Sequence, residues 1–170
     1  MRRFLAVAVI GVTTGCGAHS GSLQVHPDGR IGPLQIDVST EAQIRAFAGR
    51  PFKVEMDFSG DGRRRTGRSL SYRCGRGCVT TYSVSRATGR LSDYWTQSPR
   101  FTTEHGSHVG MAAVKAARLE RKKPRPGCGF PRYIYLRTEK NLLFVLAIWK
   151  EKVDSIGYLG THTVYYEGLC

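Results

Sequence analysis

Apolar and polar positions along the chain follow two patterns, and each predicts a different kind of element. Ala42–Ala48 carries apolar residues at helical spacing, and Ala112–Lys122 consists of strong helix formers throughout, so both are predicted to be helices. The other apolar runs are short and alternating or continuous, which favours strands. These predicted strands are Leu34–Val38, Ser69–Cys74, Val79–Ser85, Leu91–Gln97, Arg132–Thr138, Leu142–Lys150, Val153–Leu159 and Thr161–Tyr166.

Small polar residues, glycine and proline mark where these elements begin and end. Ser39 or Thr40 can cap the first helix, because a side-chain oxygen there accepts a hydrogen bond from a free backbone N–H. Gly49-Arg50-Pro51 ends that helix, and Pro124 ends the second. The turn Ala87–Arg90 joins two strands, with glycine supplying the unusual backbone angle.

The same order of elements occurs twice: an extended piece, a short helix and three strands. We therefore predict an α+β fold in which two similar helix-plus-antiparallel-β-meander units lie in tandem and form one sheet covered by helices. The predicted organisation is a signal peptide at residues 1–16, a flexible tether at 17–32, a first repeat at 33–99 and a second at 100–170. Neither half holds enough apolar surface to be stable alone, so the two must share a core.

Two short phrases carry a resemblance to a known family. Val109-Gly110-Met111 precedes the second helix and Gly49-Arg50-Pro51 follows the first, each leading into a β-meander. This arrangement resembles the SmpA/OmlA (BamE-like) family of small outer-membrane lipoproteins, and its tandem form resembles the β-lactamase inhibitory protein. The resemblance covers most of residues 31–160 in outline. It implies a binding or scaffold role in the bacterial envelope, with aromatic residues on a concave sheet face as the contact surface.

The first sixteen residues have the order of a secretory signal. Arg2-Arg3 forms a basic head, Phe4–Val12 carries no charge, and small residues precede Cys16. Two outcomes stay open. Cleavage near Gly15 or Ala18 would release the protein, whereas lipidation of Cys16, in a TTGC sequence similar to a lipobox, would anchor it in a membrane. We expect the anchored form.

The chain is strongly basic, with 26 lysines and arginines against 13 aspartates and glutamates. Two clusters stand beside glycine or proline and are predicted to be exposed loops: Arg63, Arg64 and Arg65, and Arg121, Lys122 and Lys123. An exported protein of this charge is drawn to anionic surfaces, so we predict that these loops bind an anionic envelope component or a protein partner. Nucleic acid is not expected as a partner, because the protein is predicted to be exported and neither cluster contains a stacking-aromatic motif.

Five cysteines occur, and four remain once Cys16 is set aside: Cys74, Cys78, Cys128 and Cys170. An even number in an oxidising compartment predicts two disulfides. Three pairings are possible. We favour Cys74 with Cys78, which flank a tight glycine turn, and Cys128 with Cys170. Zinc is not expected, because a CxxxC spacing with two distant cysteines is not a zinc-ribbon pattern.

No catalytic signature, metal site or cofactor site is predicted. Asp57–Gly62 is similar to a calcium loop, but Arg68 stands where the twelfth-position acid belongs, so a solvated hairpin tip is favoured. Glu104, His105 and His108 are best explained as loop residues entering a strand. The predicted function is therefore a non-enzymatic binding or scaffold module. The alternatives are an inhibitor of an extracellular enzyme and a hydrolase that uses His105 or His108.

Overall fold

The computed structural model describes residues 23–59, 62–126, 132–139 and 142–159. The predicted signal peptide, the predicted strand Thr161–Tyr166, and Cys16, Cys128 and Cys170 lie outside these residues. The strands are β1 (Leu23–Val25), β2 (Arg30–Ile31), β3 (Leu34–Gln35), β4 (Lys53–Phe58), β5 (Arg65–Gly75), β6 (Cys78–Ser85), β7 (Leu91–Thr96), β8 (Phe101–Thr103), β9 (Arg132–Glu139), β10 (Leu142–Trp149) and β11 (Lys152–Leu159). The helices are α1 (Glu41–Ala48) and α2 (Ala113–Glu120).

The strands form two sheets. The larger sheet has seven antiparallel strands in the order β4-β5-β6-β7-β11-β10-β9. The smaller sheet has four short strands in the order β3-β2-β1-β8, and β1 runs parallel to β8, with Leu23 opposite Phe101. The pairing of β7 with β11 joins the two meanders and leaves β4 and β9 at opposite edges of the larger sheet.

One face of the seven-stranded sheet is buried and is called the inner face here. A row of side chains crosses it from strand to strand, because residues directly opposite each other in a sheet lie on the same face. This row consists of Leu70, Tyr82, Tyr94, Tyr158 and Phe144, each at most 2% exposed. Burial raises the pKa of both Tyr82 and Tyr94, so these phenols stay neutral within the core.

The smaller sheet and the two helices cover the inner face. Val25 and Ile31 from the smaller sheet and Ile44 from α1 join the same hydrophobic core as the inner row, and all three are fully buried. Backbone hydrogen bonds attach the covering layer to the larger sheet: Asp37 N donates to Leu91 O over 2.7 Å. The molecule therefore has one continuous core rather than one for each half.

The predicted fold class is wrong. Strand accounts for 54% of the described structure and helix for 13%, and the second sheet supplies much of the cover that helices were expected to give. The two helices have only eight residues each, and neither is long and apolar enough to span a membrane. Strands of two or three residues, such as β1 and β2, are too short to show a period of two, so the sequence pattern could not reveal the second sheet.

The predicted flexible tether is also wrong for residues 23–32. They form β1, a turn and β2, and Val25 and Ile31 are fully buried. The abundance of glycine and polar residues there reflects the tight turn between the strands, where Gly29 has a φ of 86°. A Cβ at Gly29 would lie 3.0 Å from Ile36, so this turn packs directly on the core.

The helix positions agree closely with the sequence. α1 begins at Glu41 after Thr40, whose hydroxyl accepts a hydrogen bond from Gln43 N, while the Gln43 side chain accepts one from Thr40 N over 2.8 Å. α2 begins after Ala112, which provides no side-chain cap, and instead a backbone hydrogen bond from Ala113 N to Glu151 O of 2.8 Å fixes its start. A side-chain capping box therefore fixes the start of α1, whereas a backbone hydrogen bond to the turn before β11 fixes the start of α2.

Candidate functional site

A groove beside α2 combines apolar and cationic side chains and is called the basic groove. It has a volume of about 460 Å³. Its lining residues are Ala113, Val114, Ala117, Arg118, Arg121, Lys122, Lys123, Pro124, Arg132 and Glu151. One of the two predicted basic loops, Arg121-Lys122-Lys123, therefore forms part of its rim, whereas the sequence pattern did not single out Arg118, Arg132 or the apolar floor.

Helical spacing divides α2 into a core side and a groove side. Ala113, Ala116 and Glu120 are buried. Val114, which is 61% exposed, lies with Arg118 on the groove side, since residues four positions apart lie above one another on a helix. An exposed valine beside an arginine gives this surface an apolar floor with a cationic border.

The rim of the basic groove carries an excess of positive charge. Among residues 23–59, 62–126, 132–139 and 142–159, no carboxylate forms a salt bridge with Arg118, Arg121, Lys122 or Lys123. The one acid on the rim, Glu151, forms an ion pair with Arg132. The groove can therefore offer several guanidinium and ammonium donors to an anion, and phosphate is well matched to such donors.

Backbone hydrogen bonds hold the basic loop in place. Arg121 has a φ of 53°, the left-handed conformation that commonly ends a helix, and Lys122 N donates to Ala117 O over 3.1 Å. Arg125 and Tyr133 exchange two backbone hydrogen bonds of 2.8 and 2.7 Å, which attach the loop to the edge strand β9. The loop is thus tied at both of its ends.

A buried carboxylate fixes the last turn of α2. Glu120 accepts a hydrogen bond from Thr103 Oγ1 over 2.5 Å, and His105 Nδ1 lies 2.9 Å from its other oxygen. The side chain of Glu120 is only 4% exposed. This contact ties the helix end that carries the groove cations to strand β8.

The three histidines that the structure describes, His26, His105 and His108, do not assemble a catalytic or metal centre. Glu104 contacts His26 over 2.7 Å, while His108 Nδ1 lies 3.0 Å from the carbonyl of Val109, so the trio considered from sequence is not brought together. In a nucleophilic triad the hydroxyl donates to the imidazole, whereas Thr103 donates to the carboxylate of Glu120. Within the described residues, no three His, Cys, Asp or Glu side chains are placed to hold a metal ion.

The other predicted basic loop lies at the far edge of the seven-stranded sheet. Arg63, Arg64 and Arg65 are exposed at the β4–β5 hairpin, where Ser59 N donates to Arg64 O over 2.7 Å. Six strand spacings of about 4.8 Å place the edge strands β4 and β9 about 29 Å apart along the sheet, and the two loops lie at these opposite edges. One small anion cannot contact both.

A disulfide joins Cys74 and Cys78 across the turn between β5 and β6, with their Cα atoms 5.1 Å apart. This is the pairing favoured from the sequence for these two cysteines. Gly75 and Gly77 both have positive φ in that turn, which lets so short a loop close. The predicted pairing of Cys128 with Cys170 lies outside the described residues.

The outer face of the seven-stranded sheet, opposite the core, differs between its two halves. On β5 and β6 it carries hydroxyl groups that bond across the strands, with Ser69 to Ser83 at 3.1 Å and Ser71 to Thr81 at 3.2 Å. On the other strands it carries aromatic rings at Trp95, Tyr133 and Tyr135. Trp95 packs directly on Gly157, where a Cβ would overlap the indole ring.

No protein-family model matches the chain, and no curated protein matches its sequence. Its fold is similar to that of the uncharacterized protein yfeY from Escherichia coli, with a TM-score of 0.55 and 13% identity over 80% of this chain and 99% of that one. It is also similar to an extracellular protein containing an SCP domain from Bacillus anthracis str. Ames, with a TM-score of 0.51 and 6% identity over 74% of this chain.

The chain spans 44% of the length of the SCP-domain protein but nearly all of yfeY. At such low identities both likenesses concern the fold alone. Neither structure carries the SmpA/OmlA name, so that resemblance stays a prediction.

Proposed function

We propose that this protein is exported, anchored by a lipid at Cys16, and acts as a non-catalytic module that binds an anionic component of the cell envelope in the basic groove. One observation carries the proposal: four cations without an acidic partner among the described residues border an apolar floor at the end of α2. Such a surface favours a ligand that carries phosphate groups on a partly apolar or flexible backbone, such as a wall polymer.

Three features support export. The sequence begins with a signal-like segment, and Cys74 and Cys78 form a disulfide, which is typical of oxidising compartments. A protein of similar fold is described as extracellular. The lipid anchor itself depends only on the TTGC sequence, and mass spectrometry of the mature N-terminus tests it. An unmodified chain that starts after Ala18 would contradict the anchor.

The groove is tested by a comparison of two charge-neutral triple variants. The chain carries Cys16→Ser to prevent lipidation, and the probe is long-chain polyphosphate in a fluorescence or calorimetric titration. Arg121→Gln/Lys122→Gln/Lys123→Gln should weaken binding more than tenfold, because a hydrogen bond to a charged group contributes about 1.5–3 kcal/mol. Arg63→Gln/Arg64→Gln/Arg65→Gln removes the same charge at the opposite edge and should change the affinity by less than about threefold.

Equal losses in both triple variants would show that polyphosphate responds only to net charge, and the groove would then have no role. Added salt should weaken binding to the unaltered chain, since exposed charge interactions are screened over about 8 Å at physiological ionic strength. Binding that is unchanged between low and high salt would also contradict the proposal.

A second candidate function, inhibition of an extracellular enzyme, is favoured by the aromatic half of the outer face. Trp149 is 47% exposed and belongs to the same face as Val145 and Tyr135, by alternation along β10 and pairing with β9. Exposed tryptophans often dominate protein-binding energies. If a purified extracellular hydrolase is inhibited, Trp149→Ala should raise the inhibition constant at least tenfold. An unchanged constant would remove this face from consideration.

A further inference from the structure

Exposed apolar side chains are concentrated along the edge strand β4. Seven large hydrophobic residues are exposed in the described structure, and four of them form the segment from Phe52 to Phe58. Their exposed fractions are 48% for Phe52, 46% for Val54, 47% for Met56 and 56% for Phe58. We call these four residues the edge strip. A concentrated apolar patch on an otherwise charged surface marks an interaction site.

Val54 and Met56 of the edge strip continue the inner face of the sheet beyond its cover. Val54 lies opposite Leu70, which is fully buried in the core, so both side chains project from the same face. Helix α1 reaches β5, where Glu41 forms an ion pair with Arg68. Val54 and Met56, one strand further out, remain about half exposed.

Arginines of the neighbouring strand β5 lie beside the apolar side chains of the strip. Arg65 lies directly opposite Phe58 and Arg68 opposite Met56 in the β4–β5 pair. The guanidinium carbon of Arg73 lies 4.9 Å from the centre of the Phe52 ring. Residues 50–76 contain eight lysines and arginines against three acids.

We propose that the edge strip and the β4–β5 hairpin form the surface by which this protein lies on an anionic lipid bilayer. The apolar side chains enter the boundary between headgroups and acyl chains, and the arginines contact lipid phosphates, as in other interfacial membrane segments. A second copy of the chain is a poorer match, because a two-fold symmetric pair would place this cationic edge against the same cationic edge of the other copy.

The position of β1 is consistent with this surface if Cys16 carries the lipid anchor that is part of the proposed function. Six residues lie between Cys16 and Leu23, so seven Cα–Cα steps limit the anchor to within about 25 Å of Leu23. Leu23 lies near the end of α1, because a Cβ at Gly32 would be 3.4 Å from both Leu23 and Phe47. Phe47 precedes Phe52 by only five residues, so an anchor at Cys16 can reach the bilayer on which the strip lies.

If the edge strip lies on the bilayer, the two basic loops have different binding partners. The hairpin edge contacts the membrane, and the basic groove, at the opposite edge of the sheet, is held outward toward the rest of the envelope.

Vesicle sedimentation tests the surface directly. The Cys16→Ser chain, which has no lipid, is mixed with vesicles of phosphatidylcholine and phosphatidylglycerol at about 3:1, or of phosphatidylcholine alone. Binding is expected only to the anionic vesicles. Val54→Ser/Met56→Ser should weaken it at least tenfold. The control Val38→Ser, which alters a similarly exposed valine outside both proposed sites, should change it less than twofold. Equal binding by the strip variant and the control would overturn the proposal.

The charge variants separate this proposal from the groove. Arg63→Gln/Arg64→Gln/Arg65→Gln should reduce vesicle binding at least fivefold and leave polyphosphate binding nearly unchanged, and the Arg121 triple variant should do the reverse. Loss of the polyphosphate result alone defeats the proposed function, while loss of the vesicle result alone defeats the membrane surface.

Two further measurements test the surface, and the first remains decisive if the serine variants unfold. Phe58→Trp in the Cys16→Ser chain should show a blue-shifted emission on addition of anionic vesicles, and an unshifted spectrum would contradict the proposal. Analytical ultracentrifugation should show a monomer. A dimer that Val54→Ser/Met56→Ser converts to monomer would assign the strip to a second copy instead.

Discussion

The hairpin edge and the basic groove use the same residue types and differ in shape. Each contains three consecutive cations in an exposed turn, beside four exposed apolar side chains at the hairpin edge and beside Val114 in the groove. At the hairpin the apolar residues form a flat row along an edge strand, with arginines beside them. Beside α2 the apolar residues form the floor of a concave groove and the cations its rim. Composition alone therefore does not determine what a basic cluster binds.

The position of the nearest helix produces this difference. α1 lies over β5 and leaves β4 uncovered, so the edge stays flat and open. α2 lies beside the start of β11, and its C-terminal loop pairs with β9, so helix, loop and strand together enclose a groove. A flat apolar surface suits a bilayer, and a concave one suits a discrete ligand.

The largest expected effect concerns the packing of α1 on the core. Ile44 is fully buried and is the buried residue of that helix, so Ile44→Ala should lower the free energy of unfolding by about 2–5 kcal/mol. Urea denaturation measures the loss, and Val38→Ala, at a 50% exposed position, should cost less than about 0.5 kcal/mol. If the two variants lost the same unfolding free energy, packing of α1 on the core would not contribute to the stability of this part of the protein.

The next largest effect concerns the contact that fixes the C-terminal end of α2. Glu120→Ala removes the acceptor of Thr103 and the partner of His105, and should cost about 1–3 kcal/mol. Because the last turn of α2 carries Arg118, polyphosphate binding should weaken while binding to anionic vesicles is retained. Glu120→Gln keeps an acceptor for Thr103 and should lose less. If both variants lost vesicle binding equally, the two regions would not be independent.

A smaller effect distinguishes the starts of the two helices. Thr40→Ala removes the capping box of α1 and should cost about 0.5–2 kcal/mol. Ala112, with φ −58° and ψ 132°, has no side-chain cap to lose, so Ala112→Ser should add stability of about 0.5–1 kcal/mol. Thermal denaturation of both variants checks the pair. A stabilising Thr40→Ala would contradict the cap.

The smallest effect is pH-dependent and concerns Asp57 in β4. Burial raises the pKa of Asp57, and a hydrogen bond of 2.7 Å from Ser69 Oγ partly opposes this. The pKa of Asp57 is higher in the folded than in the unfolded protein. The protein therefore loses stability as pH rises from the unfolded to the folded pKa, and the loss is complete above the folded pKa.

Asp57→Asn should therefore stabilise the protein slightly at pH 7, and the gain should vanish at a pH below the unfolded pKa of the carboxyl group. Urea titrations at pH 7 and pH 3 measure both. The control Glu55→Gln alters an exposed acid that pairs with Lys53 and should change stability little at either pH. A gain that persists at pH 3 would assign the effect to something other than ionisation.

Local patterns in the sequence located many elements and part of each site. The predicted helix at Ala42–Ala48 agrees with α1, and the strands of both C-terminal hairpins lie within one or two residues of their predicted bounds. The two basic loops are exposed, as predicted. The sequence pattern missed β4, although Lys53–Phe58 alternates charged and apolar residues. The glycine and acids of the following turn obscured this alternation.

The sequence by itself determined where the chain turns, which residues cap α1, where the positive charges lie and that Cys74 and Cys78 are close enough to join. All of these depend on residues within a few positions of one another. Only the tertiary structure decided that β7 pairs with β11, which places the two basic loops at opposite edges of one sheet, and that three short strands before α1 help to cover the core. Those arrangements arise from contacts between distant segments that bury a shared apolar surface, and no local pattern specifies which distant segments will meet.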